Sequence, residues 1–198
     1  MNQDERLALR ESVRQARRNL TEAEQVAASE RIVEIVTAED FYKDASRLAF
    51  YLTIDGELNP EPLLKHALGA SKSCYLPVIS KDNEELLIFA PYDESTQLIE
   101  NQWGISEPPH PEEHTSPTNF DVVFVPLVAF DANCFRLGMG KGFYDRTFSF
   151  KIFNRRSQPL LVGLAHECQL TEPFPTQTWD VRLDAVVTEK KIYRPDTA

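Results

Sequence analysis

Apolar side chains recur with two different periods along the first third of the chain. Residues 4–19 place them every three or four positions, which predicts an amphipathic helix. Thr21 and Glu24 have the spacing of a capping box, so a second helix is expected to begin there. Residues 47–52 form a compact apolar run, which is typical of a buried strand. A short helix is predicted over residues 60–68, with a proline near its first turn.

The later apolar runs predict a set of strands. These runs are residues 73–78, 85–89, 121–130, 160–165 and 185–188. The run 121–130 is apolar at nearly every position, which indicates burial on both faces, as in a parallel sheet. Residues 91–119 are rich in proline and lack a period, so we expect a long surface excursion there. The alternation of helices and strands predicts one domain over 1–198 of the α/β class, a layered α/β/α fold with a mostly parallel central sheet.

Composition and charge exclude several classes of protein. Hydrophobic residues make up 42% of the chain and charged residues 26%, which is typical of a globular protein. The net charge of −10 argues against a nucleic-acid partner, because a phosphate backbone requires a basic surface. The longest uncharged apolar run, residues 122–130, is too short to span a bilayer. The N-terminal residues lack the apolar segment of a secretory signal, and three scattered cysteines favour a reducing cytoplasm.

Residues 136–146, named here the glycine loop, carry the strongest chemical signal. Three of the seven glycines in the protein, Gly138, Gly140 and Gly142, alternate within it. Glycines let backbone N–H groups approach a ligand closely, and the following helix, predicted from about Tyr144, would favour an anion at its N-terminus. Lys141 adds a positive charge. The loop therefore predicts an anion-binding site, and the alternative is a flexible strand-to-helix connection.

Two common phosphate-binding motifs do not fit this loop. A Walker loop needs G-x-x-x-x-G-K-[ST], but Phe143 stands five positions after Gly138. The dinucleotide fingerprint G-x-G-x-x-G fails at the same residue. Any phosphate site here therefore belongs to a different class.

Asp145 and the first helix could complete such a site. A carboxylate near bound phosphates is a natural Mg²⁺ ligand, although Asp145 could equally be a residue favoured at a helix start. The arginine face of the first helix consists of Arg6, Arg10, Arg14 and Arg17. Like charges at this spacing repel, which an anionic partner would relieve; the alternative is a solvated basic surface.

Several segments carry a resemblance to a known family. The glycine loop reads RLGMGKGFYDR and is preceded by VPLVAFD at 125–131. The supporting segments, in order along the chain, are the basic first helix, AFYLTIDGEL at 49–58, YLPVI at 75–79, GISEP at 104–108, VGLAHECQL at 162–170 and TWD at 178–180. With these segments the chain resembles the 5-formyltetrahydrofolate cyclo-ligase family over nearly its whole length.

The resemblance implies a role for each matching position. The residues implied in ATP binding are Arg6, Arg10, Arg136, Leu137, Gly138, Met139, Gly140, Lys141, Gly142, Phe143 and Tyr144. The residues implied at the folate are Thr53, Ile54, Glu57, Phe143 and Tyr144. Among these, Arg136, Lys141 and Tyr144 are the implied catalytic residues, while Asp145 and Asp180 match the magnesium ligands. Trp103 stands where some relatives have a tryptophan beside the folate, and Phe143 replaces a tyrosine that many relatives have.

The implied reaction is the Mg-ATP-dependent cyclisation of 5-formyltetrahydrofolate to 5,10-methenyltetrahydrofolate, with ADP and phosphate as products. The formyl oxygen is expected to take the γ-phosphate before nitrogen 10 closes the ring, so no covalent enzyme nucleophile is needed. The expected partners are ATP, Mg²⁺ and a reduced formylfolate, with no nucleic acid or membrane, and the expected state is a cytoplasmic monomer. Two rival hypotheses are a small-molecule kinase that shares the nucleotide loop and a non-catalytic nucleotide- or folate-binding module.

Overall fold

A computed structural model describes residues 3–101, 104–111, 115–155 and 158–196. The α-helices within these ranges are α1 (Gln3–Arg18), α2 (Glu22–Thr37), α3 (Asp40–Lys43), α4 (Glu61–Gly69) and α5 (Phe143–Thr147). The strands are β1 (Arg47–Ala49), β2 (Ser73–Ile79), β3 (Leu87–Tyr92), β4 (Ile99–Glu100), β5 (Ser106–Glu107), β6 (Val122–Val125), β7 (Ala129–Asp131), β8 (Arg136–Leu137), β9 (Leu160–Leu164), β10 (Leu170–Thr171), β11 (Ala185–Val187) and β12 (Ile192–Tyr193). Trp103 lies outside the described residues.

Seven strands form the central sheet in the order β12-β11-β9-β6-β1-β2-β3. The inner strands β11, β9, β6, β1 and β2 are parallel to their neighbours, while β12 and β3 pair antiparallel at the two edges. All four residues of β6 are buried, as expected for a strand covered on both faces. The prediction of an α/β fold with a mostly parallel sheet is confirmed.

The single strand predicted over residues 121–130 is wrong. The chain leaves the central sheet after Val125, and β7 pairs instead with β8 and β10 in a separate three-stranded sheet. Pro126 stands at the break, and a proline cannot donate a hydrogen bond to the ladder. Continuous apolar character on both sides of Pro126 hid this change of sheet, since both strands are buried.

The two faces of the central sheet are covered differently. Helices α2 and α4 cover one face with buried side chains such as Ile32, Val36 and Leu63. The other face packs against aromatic residues, including Phe130 and Phe148, from the second sheet and the short segment after α5. The helical layer on this second face is thus short. Among the described residues, no helix combines the length and apolar character that crossing a bilayer requires.

Helix α1 attaches to the rest of the protein mainly through charged side chains. Its buried residues are Val13 and Arg17, while the apolar side chain of Leu7 is 63% exposed. Helix α2 begins as predicted: the Glu24 amide donates to Thr21 Oγ1 at 3.3 Å, and the Thr21 amide donates to Glu24 Oε2 at 2.8 Å. The position of α1 therefore depends on its arginines as well as on a small apolar contact in which Val13 and Leu9 take part.

Candidate functional site

A cavity of about 560 Å³ lies at the carboxyl ends of the parallel strands. Strand β1 lies between β2 and β6, so the chain moves to one side of β1 and later returns to the other. Ligands of open α/β sheets bind at such a switch point. The cavity walls come from residues after β1, the end of β2, the start of β3, Pro126 and Leu127 after β6, the β5 region and the glycine loop.

The glycine loop forms one wall of the cavity, and two of its glycines have backbone conformations that favour glycine. Gly140 has φ +102° and Gly142 has φ +69°. At Gly142 an added Cβ would lie 2.8 Å from the Arg146 guanidinium. Helix α5 then spans five residues only, so few peptide dipoles are aligned at the loop. Any anion binding here depends on loop amides and side-chain charge.

Two basic residues of the glycine loop have opposite environments. Arg136 is buried; its Nη1 donates to the Val181 carbonyl, and its Nη2 donates to Asp145 Oδ1 at 2.8 Å. Lys141 is exposed, and its side chain forms no ion pair with any residue that the structure describes. Arg136 therefore holds the loop in place, whereas the charge of Lys141 is available to a ligand.

The arginine face of α1 points toward the protein, so the alternative of a solvated basic surface is wrong. Arg10 Nε donates to the Gly138 carbonyl at 2.8 Å, which joins α1 to the glycine loop. Arg6 Nη2 donates to Asp180 Oδ2 at 3.2 Å. The first two arginines of the face thus contact residues predicted for the nucleotide and the metal.

The other arginines of α1 converge on one aspartate that was not predicted as a site residue. Arg14 Nε and Arg17 Nη2 donate to Asp55 Oδ2 at 2.7 and 3.1 Å. Arg18 donates through Nε and Nη2 to Asp55 Oδ1 at 2.9 and 2.7 Å. Despite its burial, the pKa of Asp55 is lowered by these guanidinium groups. We name Asp55 with Arg14, Arg17 and Arg18 the Asp55 cluster.

Glu57 contributes a buried carboxylate to the cavity. It is 5% exposed, and its Oε2 accepts a hydrogen bond from the Ile54 amide at 3.3 Å. Burial raises the pKa of Glu57 to about 7, a shift that the nearby positive charge of Arg17 reduces but does not cancel. Near neutral pH this group can therefore exist as carboxylate or carboxylic acid.

Asp145 and Asp180 are brought together by the segment that follows Asp180. The Val181 amide donates to Asp145 Oδ1 at 3.0 Å. Because Asp180 directly precedes Val181, this bond places Asp145 beside the peptide that joins Asp180 to Val181. The Gln177 amide donates to Asp180 Oδ2 at 2.8 Å. In the described part of the chain, no group of three or more His, Cys, Asp or Glu side chains could hold a metal by itself.

Six predicted site residues do not line the cavity: Arg6, Arg10, Thr53, Leu137, Gly140 and Asp180, the last of which lines a second pocket. Thr53 is exposed, and its hydroxyl donates to Asn59 Oδ1, because side chains alternate along the extended segment and Ile54 takes the inward position. Leu137 is 1% exposed and packs in the cluster with Val13, so only its backbone could reach a ligand. The side chains of Thr53 and Leu137 therefore do not contribute to the cavity wall, and the binding roles that the resemblance implies for these residues stay predictions.

The cavity also has a polar wall that sequence reasoning left without a role. Asn101 and Glu107, at the paired strands β4 and β5, line it, and Asn101 Nδ2 donates to Glu107 Oε2 at 2.9 Å. Both lie in the stretch interpreted as a surface excursion. The matching segment GISEP and the position of Trp103 were the signals that pointed to this region.

The fold and the cavity define a class of protein: an α/β protein in which a basic glycine loop and a buried carboxylate line one ligand site. Residues 2–189 match the 5-formyltetrahydrofolate cyclo-ligase family, and the chain belongs to that family. The 5-formyltetrahydrofolate cyclo-ligase of Haemophilus influenzae is 37% identical over 185 residues, covering 92% of this chain and 97% of that protein. The Escherichia coli K12 protein of the same name is 38% identical over 182 residues, covering 91% and 98%.

A solved structure shows the same fold. The NMR structure of Aquifex aeolicus 5,10-methenyltetrahydrofolate synthetase matches with a TM-score of 0.82 and 32% identity, covering 98% of this chain and 94% of that chain. The resemblance read from the sequence is thereby confirmed at the level of family and fold.

Proposed function

We propose that this protein catalyses the ATP- and Mg²⁺-dependent cyclisation of 5-formyltetrahydrofolate to 5,10-methenyltetrahydrofolate, with release of ADP and phosphate. The observation that carries the proposal is the shared cavity: the glycine loop and Glu57, far apart in sequence, line the same space. An ATP site and a folate site on facing walls would let one substrate react directly with the other.

The glycine-loop wall is suited to ATP. Lys141 is exposed, the loop amides lie beside it, and Arg10 and Arg6 approach the same region from α1. These cations supply the charge stabilisation that a transferring phosphoryl group needs. Buried Arg136 holds Asp145 in place by their ion pair, so its part in the reaction is to position the aspartate.

Asp145 on this wall and the neighbouring Asp180 fit a magnesium ion. Mg²⁺ is commonly held by one or two carboxylates together with water and phosphate oxygens. Within the described residues, hydrogen bonds occupy Oδ1 of Asp145 and Oδ2 of Asp180, which leaves one oxygen of each carboxylate for a cation. When bound, the ion would neutralise phosphate charge, and Asp145 and Asp180 would hold it.

The opposite wall is suited to the pterin ring of the folate. Ile54 gives it an apolar surface, which the aromatic end of the glycine loop, Phe143 and Tyr144, extends, and Glu57 supplies a hydrogen-bond acceptor for pterin N–H groups. Burial raises the pKa of Tyr144, so its hydroxyl stays neutral and can donate a hydrogen bond. Such a wall would orient the formyl oxygen toward the nucleotide.

The chemistry then needs no covalent bond to the protein. The formyl oxygen attacks the γ-phosphorus of ATP, and the bond between that phosphorus and ADP breaks. The formyl carbon, now bonded to a phosphate ester oxygen, is attacked by nitrogen 10, which loses its proton. The carbon–oxygen bond breaks, phosphate leaves and the ring is closed. The side chains bind, orient and stabilise charge throughout.

One assay tests the proposal against its two rivals. Protein, Mg-ATP and 5-formyltetrahydrofolate are mixed, and methenyl product is followed by its near-ultraviolet absorbance while ADP is measured in parallel. We expect equal amounts of both products, and neither without ATP. ADP formed from a hydroxyl substrate without methenyl product would indicate a kinase, and ligand binding with neither product would indicate a non-catalytic module.

A further inference from the structure

Helix α1 connects the two walls of the cavity. Its N-terminal half contacts the glycine-loop wall, where Arg10 Nε donates to the Gly138 carbonyl. Its C-terminal half contacts the opposite wall through the Asp55 cluster, whose arginines are Arg14, Arg17 and Arg18. Since Val13 is the one apolar residue of α1 that is buried, the placement of this helix depends on these polar contacts.

The Asp55 cluster fixes the turn that carries Glu57. Asp55 has φ +52° and Gly56 has φ +73°, so two consecutive residues turn in the left-handed region. The turn closes on itself through the Glu57 amide, which donates to the Ile54 carbonyl at 3.0 Å. Those bonds shape the turn but do not place it in the protein. Leu58, which is buried in the main core, anchors one end of the turn, and Arg17 anchors its tip, because the Arg17 Nη2 bonds both the carbonyl and the carboxylate of Asp55 at 2.7 and 3.1 Å.

The burial of Arg17 makes this contact depend strongly on Asp55. The Arg17 side chain is 1% exposed, and its Nε and Nη1 have no hydrogen-bond partner among the described residues. Its Nη2 bonds to Asp55 are thus the hydrogen bonds that the structure assigns to this buried guanidinium. A buried charge that loses its partner is strongly unfavourable, so Arg17 and Asp55 are expected to move together.

We propose that Asp55 is a positioning residue for the folate side of the cavity: its ion pairs with α1 hold Glu57 at a fixed position relative to the glycine loop. The inference rests on the proposed function and extends it to a residue that does not line the cavity. Asp55 acts through Glu57 and touches neither substrate. Charge-assisted hydrogen bonds of this kind preorganise a binding group and so lower the ordering cost of ligand binding.

The test is Asp55→Asn. Asparagine has the same shape and tolerates the left-handed conformation, so the turn is retained while the carboxylate charge is removed. We expect the KM for 5-formyltetrahydrofolate to rise roughly tenfold or more, the range expected for loss of charge-assisted bonds, while kcat and the KM for ATP stay within about twofold. Arg18→Gln, which removes the most exposed donor, should move the folate KM in the same direction by a factor of about two to three.

Asp121→Asn is the matched control. Asp121 Oδ2 accepts bonds from the Ser46 and Arg47 amides at 2.7 and 2.8 Å, at the end of the sheet away from the cavity. This variant should lose stability while both KM values stay unchanged. If Asp55→Asn left the folate KM within twofold of wild type, or raised both KM values together, the positioning role would be wrong.

A second measurement separates this inference from the proposed function. Amide hydrogen exchange over residues 52–58, measured without substrates, should be faster in Asp55→Asn than in Asp121→Asn. Unchanged exchange in that segment would contradict the positioning role even if the enzyme is active. Absence of methenyl product with the wild-type protein would instead contradict the proposed reaction, whatever the exchange result.

Discussion

The two walls of the cavity use charge in opposite ways. On the glycine-loop wall Lys141 is exposed and unpaired among the described residues, so its charge is available to a ligand. Behind the opposite wall Asp55 is paired with three arginines, and Glu57 is the carboxylate of this turn that faces the cavity. The first wall suits a highly charged anion that binds together with a metal cation. The second suits a largely apolar ligand that the carboxylate of Glu57 recognises.

The largest expected effect lies on the glycine-loop wall. Asp145→Asn should lower kcat by two orders of magnitude or more, since a neutral amide is a poor ligand for a hard dication. The folate affinity should change little. The measurement is turnover against Mg²⁺ concentration, with circular dichroism to confirm folding.

The ion pair between Asp145 and Arg136 sets the control for this prediction. If Asp145 only supports the fold through Arg136, kcat should fall without any change in the Mg²⁺ requirement. A wild-type rate and wild-type Mg²⁺ dependence in Asp145→Asn would contradict the metal role altogether.

The second effect is on stability and belongs to the opposite wall. The pKa of Glu57 is about 7 in the folded protein against 4.5 ordinarily, so the folded protein binds this proton more tightly than the unfolded chain. The free energy of unfolding should therefore fall as the pH rises from the ordinary pKa of 4.5 to the folded-state pKa of about 7. Glu57→Gln removes the titration and should be more stable than wild type by about 3 kcal/mol above pH 8, at 1.36 kcal/mol per pKa unit.

Urea unfolding of both proteins at pH 5 and pH 8 measures this difference. The advantage of Glu57→Gln should shrink at the lower pH, where the wild-type carboxyl group is protonated. An equal difference at the two values would mean that Glu57 does not titrate in this range.

The third effect concerns ligand binding on the same wall. Glu57→Gln should raise the folate KM roughly tenfold or more, because a bond to a charged acceptor contributes about 1.5–3 kcal/mol. The KM for ATP should stay within about twofold. A variant that loses ATP affinity while folate affinity holds would reverse the assignment of the two walls.

The smallest expected effect comes from α1. Arg10→Ala should weaken ATP binding by about tenfold, since it removes a cation and the contact with the Gly138 carbonyl. Folate binding should be nearly unaffected. Calorimetry with each ligand measures both affinities, and unchanged ATP affinity would limit Arg10 to holding the loop.

The sequence predicted the features of the two walls that depend on residues close together in the chain, and it missed those that depend on distant residues. The glycine loop was found from spacing alone, because its glycines, Lys141 and Asp145 lie within a few residues of one another. The capping box at Thr21 was found for the same reason. The resemblance added Glu57 and Asp180, which would otherwise pass as ordinary turn residues.

The features that the sequence did not predict, or predicted wrongly, depend on contacts between distant segments. Pro126 ended a strand that the apolar pattern continued, because hydrophobicity shows burial but not which sheet a strand joins. The pairing of Asp55 with three arginines of α1 left no local trace, since helix and turn are separated by about 40 residues along the chain.

The sequence by itself determined the α/β class, the family and the identity of the glycine loop, since these depend on local period and local motif. The tertiary structure decided which face of α1 is covered, how Arg136 and Val181 hold Asp145 beside Asp180, and why Asp55 matters although it does not line the cavity. The physical reason is that ion pairs and burial depend on distance in space. Burial of a charge such as that of Arg17 is strongly unfavourable without an ionic partner, and the fold supplies that partner from elsewhere in the chain.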